Sequence, residues 1–107
     1  MFKLCFYVPL THVEAVKTAV FAAGAGRLDD YEHCCWQTQG EGQFKPLLGS
    51  TPFIGQAETL STVAEMKVEM LCHEGALPEV VQALLDSHPY EEPAYEYWVV
   101  YTASDVR

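Results

Sequence analysis

Hydrophobic and polar positions alternate along several stretches of this chain and recur at helical spacing along two others. Phe2, Leu4, Phe6 and Val8 fall on one side of an extended segment, and Lys3, Cys5 and Tyr7 on the other. That pattern predicts a strand from Lys3 to Val8 with one buried face, ended by Pro9. Thr11 then stands as an N-cap with Glu14 three residues on, a capping box. It opens a helix from about His12 to Ala23, whose apolar positions are Val13, Val16, Val20 and Phe21. Gly24 and Gly26 supply its stop. Tyr31 to Thr38 alternates again and predicts a second strand. Met66, Val68, Met70 and Cys72 alternate with Lys67, Glu69 and Leu71 in a third. After the turn His73-Glu74-Gly75, Pro78 suits the first turn of a helix. Val80, Val81, Leu84 and Leu85 form its apolar stripe, and His88-Pro89 closes it. Tyr95 to Tyr101 is the last strand, with Tyr95, Tyr97, Val99 and Tyr101 on one face.

Between the second and third strands lies a different kind of sequence. Gly40-Glu41-Gly42 reads as a turn and Gln43 to Pro46 as a short extended return. The Pro/Gly-punctuated run that follows, to Gly55, excludes helix. Ala57 to Thr62 reads as a further edge strand. We therefore expect residues 1–107 to form one domain with Gly40–Gly55 as an extended arm, since a loop this long in a small domain serves function or assembly. The order strand, helix, strand, arm, strand, helix, strand makes two similar halves. It predicts an α+β, ferredoxin-like antiparallel sheet with two helices on one face. The other face would carry Cys5, Tyr7 and some of Leu71, Trp98 and Val100, which is too apolar for a solvated surface. A partner subunit is expected to cover it.

Composition narrows the function. Fifteen Asp and Glu against six Lys and Arg leave a formal charge of -9, and no two basic residues are adjacent. A chain without a basic patch is unsuited to nucleic acid, whose affinity comes mostly from phosphate neutralisation, and to an anionic membrane surface. No apolar run approaches the ~20 residues that span a bilayer. The start lacks the cleavage pattern of a signal peptide, so a cytoplasmic location is expected. There, Cys5, Cys34, Cys35 and Cys72 would stay reduced, as small buried hydrophobes or as metal or redox groups.

Several motifs in order resemble a known family. They are Gly24-Ala25-Gly26-Arg27-Leu28, Tyr31-Glu32-His33-Cys34, Gly40-Glu41-Gly42-Gln43-Phe44-Lys45-Pro46, Pro52-Phe53-Ile54-Gly55 and His88-Pro89-Tyr90-Glu91-Glu92-Pro93-Ala94-Tyr95. Across roughly residues 2–100 the chain resembles the inserted domain of YqfO-type proteins of the GTP cyclohydrolase I type 2 homolog family, the Nif-three-like proteins. The His-Pro-Tyr-Glu segment is also similar to the end of CutA divalent-cation tolerance proteins, which share the fold with PII proteins. The resemblance implies a CutA/PII-like fold and a homo-oligomer, with a trimer as the CutA-like expectation and a dimer through the open sheet face as the competitor. It further implies that the parent family's dinuclear metal site, built in flanking halves, is absent, so the parent's hydrolase activity does not carry over.

Three constellations are candidate sites. His33, Cys34 and Cys35 offer imidazole and thiolate ligands suited to zinc or copper, with Cys72-His73 as a second such pair. The plainer alternative is that these are core and edge residues, since their spacing matches no zinc finger or ribbon. His88 with Glu91 and Glu92 lies on a turn stiffened by Pro89 and Pro93. His88, at a helix C-terminus, would gain from protonation, and the glutamates could serve it or a bound cation. The alternative is a rigid turn that seats Tyr90. The arm lacks the spacing of nucleotide loops, and its Phe44, Pro46, Phe53 and Ile54 are read as ligand or interface residues together with Tyr31, Trp36 and Tyr90. No serine or cysteine sits in a nucleophile context. The expected function is a small homo-oligomeric binding or regulatory module without catalysis of its own. A zinc- or copper-binding protein is the alternative, and an enzyme active at a subunit interface the third reading.

Overall fold

The computed structural model describes residues 1–106. The chain runs β1 (Phe2–Pro9), α1 (Val13–Ala22), β2 (Trp36–Phe44), β3 (Ser61–Cys72), α2 (Leu77–Ser87) and β4 (Tyr95–Val99), with short 3-10 turns before each helix and after β4. The four strands form one antiparallel sheet in the order β2-β3-β1-β4. β3 thus inserts between β1 and β2, the two strands that α1 connects, as in a split βαβ unit. This is the ferredoxin-like α+β architecture that the alternation predicts.

Pairing sorts the side chains onto two faces. Leu4, Phe6 and Val8 of β1 and Val68, Met70 and Cys72 of β3 share one layer with Val13, Val16, Val20 and Phe21 of α1 and with Val80 and Leu84 of α2. These are the apolar positions of the sequence pattern, and burying each large one contributes roughly 1.5–3 kcal/mol. Leu85 is the exception in the α2 stripe and remains exposed.

Three local expectations are corrected. Gly40 and Gly42 make no turn: both lie inside β2, paired with Glu65 and Val63. Neither takes a positive φ, whereas Gly24, Gly26, Gly49 and Gly55 do. An edge strand tolerates glycine where something else fills the space, and the Glu65 carboxylate lies so close over Gly42 that a Cβ there would collide with it. Accordingly β2 begins at Trp36, not Tyr31, and the excursion between strands covers residues 45–60. Second, no separate strand spans Ala57 to Thr62, because β3 begins at Ser61 and runs unbroken to Cys72. Third, the capping box is not made. A 3-10 turn over Leu10–His12 precedes α1, Thr11 Oγ1 meets His12 Nδ1 at 2.8 Å, and Glu14 pairs with Lys17 at 3.0 Å.

The face without helices is less apolar than expected. Trp36, Leu71, Cys5, Tyr7 and Trp98 lie on it, but register also places Glu65, Lys67, Glu69 and Glu96 there. Cys5 is nonetheless fully buried, and burial pushes its thiol pKa up.

Candidate functional site

The residues singled out in the sequence separate into two places. Gly26 fixes the first. Its amide donates to the Leu71 carbonyl at 2.9 Å and its own carbonyl accepts from Cys34 at 2.8 Å, which ties residues 26–34 to the Leu71 end of the sheet. There His33, at φ 60, stacks flat on Phe21 with ring centroids 4.9 Å apart, and its Nε2 lies 3.9 Å from Glu32 Oε1. Cys35, Tyr31 and Trp36 are exposed, and Cys34 is half-buried. Cys72 is buried in the core, with its thiol pKa raised by that burial.

His88 is at the other end of β1. Its Nε2 donates to the Tyr7 carbonyl at 2.7 Å, and its Nδ1 accepts the Tyr90 amide at 3.1 Å. Because an amide can only donate, the network assigns the neutral Nε2–H tautomer. Burial at 6% exposure lowers the pKa of this ring. Lys3, which pairs with Leu71, and Tyr7 are four residues apart on β1, roughly 13 Å along a strand. His33, Cys34 and Cys35 therefore lie apart from His88, Glu91 and Glu92, and ligand bonds near 2 Å cannot span that gap. Among the described residues, no three His, Cys, Asp or Glu side chains are grouped to hold a metal ion.

The second place is a cleft of about 630 Å³ beside His88. It is lined by Phe44 at the end of β2, by Pro46, Phe53 and Ile54 of the arm, and by Tyr90, Glu91 and Glu92 of the turn before β4. All seven were singled out in the sequence, and folding brings them together. Both oxygens of Glu91 accept the Thr51 amide, at 3.0 and 3.2 Å, which fastens the arm to the turn. Phe53 also packs edge-on against His12 with centroids 5.3 Å apart. The floor comes from the sheet. The Tyr90 hydroxyl donates to Glu65 Oε2 at 2.7 Å and its ring leans on Phe44, 6.2 Å away. Burial, then the Glu65 bond, raises the Tyr90 pKa, so the phenol stays protonated. Tyr7 also lines the cleft, and loss of solvent, with Cys5 and Glu96 nearby, pushes its pKa up to about 12.

Sequence reasoning missed Glu65, Tyr7 and Thr51 as parts of this site. Glu65 faces the cleft only because of the β2–β3 register, which no local pattern reveals. Its one signal was a carboxylate beside the apolar run that starts at Met66.

No protein-family model matches the chain. Curated relatives do. The protein named GTP cyclohydrolase 1 type 2 homolog from Halalkalibacterium halodurans is 44% identical over 98 residues, which is 92% of this chain and 26% of the relative. Its counterpart from Mycobacterium leprae is 45% identical over the same shares. The chain thus spans about a quarter of the length of the curated relatives it matches. Among solved structures, a Bacillus cereus protein related to NIF3 superposes with a TM-score of 0.78 at 34% identity, covering 91% of this chain and 24% of that one. CutA1 from Pyrococcus horikoshii superposes with a TM-score of 0.69 at 13% identity, over 99% of this chain and 91% of that one. GlnK from Bacillus subtilis does so with a TM-score of 0.52 at 14% identity, over 91% of this chain and 82% of that one. The chain is related by sequence to a segment of the GTP cyclohydrolase 1 type 2 homologs, the Nif3-related proteins, and it carries the ferredoxin-like fold of CutA and PII proteins.

Proposed function

We propose that this chain is a binding or regulatory module that works as a homo-oligomer and takes a ligand in the cleft between the arm and the 88–94 turn, without catalysis of its own. The observation that carries the reading is the tie between Thr51 and Glu91, which holds two segments forty residues apart against one apolar-walled cavity. Such walls with a few fixed polar groups are the usual make-up of a small-ligand site. The polar groups here hold structure: Glu91 anchors the arm and Glu65 anchors Tyr90. That is the work of a binding site more than of acid–base chemistry.

Assembly is supported by apolar surface at the sheet. Trp36 at 62% and Trp98 at 43% exposure sit on the face without helices, and Tyr97 and Val99 on the β4 edge are about half exposed, at 48% and 55%. Exposed aromatics on an unpaired edge strand invite a partner. A trimer is the form we favour, by analogy with CutA. Four free cysteines support a reducing, cytoplasmic setting. No helix among the described residues is long and apolar enough to cross a membrane. Light scattering after size exclusion at micromolar concentration should give a whole multiple of 12.0 kDa, three for the trimer. A mass near that of one chain overturns the assembly.

A further inference from the structure

The cleft's lining has a charge sign and a shape that together select a class of ligand. Glu65, Glu91, Glu92 and Lys45 are the charged groups of the lining, three carboxylates to one ammonium. Glu91 is committed to Thr51. Glu65 uses Oε2 for Tyr90, and among the described residues its Oε1 has no hydrogen-bond donor. Glu92 is exposed at the rim. The same lining carries aromatic rings: Phe44 and Tyr90 lean on each other, and Phe53 is a third. An anionic ligand would meet net negative charge and a single lysine. A purely apolar one would desolvate Glu65 Oε1 without giving it a partner, which is costly. A cation with an apolar body satisfies both features, since carboxylates attract its charge and ring faces attract it again through their quadrupoles.

We propose that the cleft takes an organic cation, an alkylated or aryl-bearing ammonium, with its charge between Glu65 and Glu92 and its body against Phe44, Phe53 and Tyr90. This rests on the reading of the cleft as the ligand site. The overall charge of -9 adds long-range attraction for such a ligand.

The test is an amide-resolved NMR titration of the full chain with three probes of similar size: benzyltrimethylammonium, its neutral isostere neopentylbenzene in co-solvent, and benzoate. The expected result is saturable shifts at cleft amides with benzyltrimethylammonium, weakened by added salt and absent with benzoate. Glu92→Gln and Phe53→Ala should each weaken binding by about two- to fivefold while the dispersed spectrum persists. Both positions are exposed, so the fold tolerates these changes. If benzoate or the neutral probe shifts the same amides more strongly, or if Glu92→Gln leaves the affinity unchanged, the cation assignment falls and the ligand cleft stands. If none of the three shifts cleft amides at millimolar concentration, both readings fall.

Discussion

The ring of His88 joins three segments at once. It ends α2, donates to β1 at the Tyr7 carbonyl, and receives the Tyr90 amide of the turn. The sequence places this histidine at a helix C-terminus, where protonation is favourable, and only its burial and its two backbone partners reveal that the neutral ring is the one that fits. Burial lowers its pKa below the ordinary 6.5, the Tyr7 bond and Glu65 oppose that shift, and His12 reinforces it. The sign follows from linkage: the unfolded chain binds the proton more readily than the folded one. Stability due to His88 is fully present above pH 6.5 and is lost as the pH falls below it. Urea midpoints measured from pH 7.5 down to 5 should therefore decline in the native chain, and His88→Gln should flatten that decline. At pH 7.5 the same substitution should cost about 1–3 kcal/mol, because it leaves a buried backbone group without its partner.

At the scale of elements, long apolar periodicity was legible and short glycine-rich signals were not. α1, α2 and β1 fall where their patterns place them because each buries its own stripe or face, and β4 starts at Tyr95 as its pattern predicts although its residues stay largely exposed. Gly40-Glu41-Gly42 resembles a turn locally, yet β3 captures it as strand through nine paired positions from Trp36 to Phe44. Gly26 is the reverse case, a stop signal that also turns out to be a joint. It holds φ at +73, and a Cβ there would lie 2.8 Å from the Phe21 ring and 2.9 Å from the Cys34 carbonyl. Gly26→Ala should cost about 1–3 kcal/mol from backbone strain alone, read as a lower urea midpoint. The arm's attachment has its own test. Glu91→Ala should speed hydrogen exchange at Thr51 and leave core amides such as that of Leu84 unchanged, because it frees one loop without opening the sheet.

The whole molecule is elongated, 52 × 23 × 22 Å, with a radius of gyration of 15.1 Å, against about 13 Å for a spherical domain of this length. The length comes with the β2–β3 hairpin, all of whose β2 strand is exposed or half-buried. The antiparallel sheet and the two-helix layer could be read from the chain because they follow from the βαβ halves. The open face reads as too apolar only while Lys67, Glu69 and Glu96, which alternation puts on the same side as Leu71 and Trp98, are not weighed against them. If that face carries the assembly, Trp98→Glu should shift the light-scattering mass down to one chain of 12.0 kDa with the helical circular dichroism retained. The tie between Thr51 and Glu91 also has a bearing on time. Two exposed hydrogen bonds across forty residues do not by themselves offset the entropy of closing that loop, whereas the sheet's still longer closures, Phe2 with Cys72 and with Val99, come with burial of the core. β3 and α2 both lie inside the Thr51–Glu91 loop. The tie therefore depends on the sheet and helices being in place, and the cleft exists only in a molecule whose core has already formed.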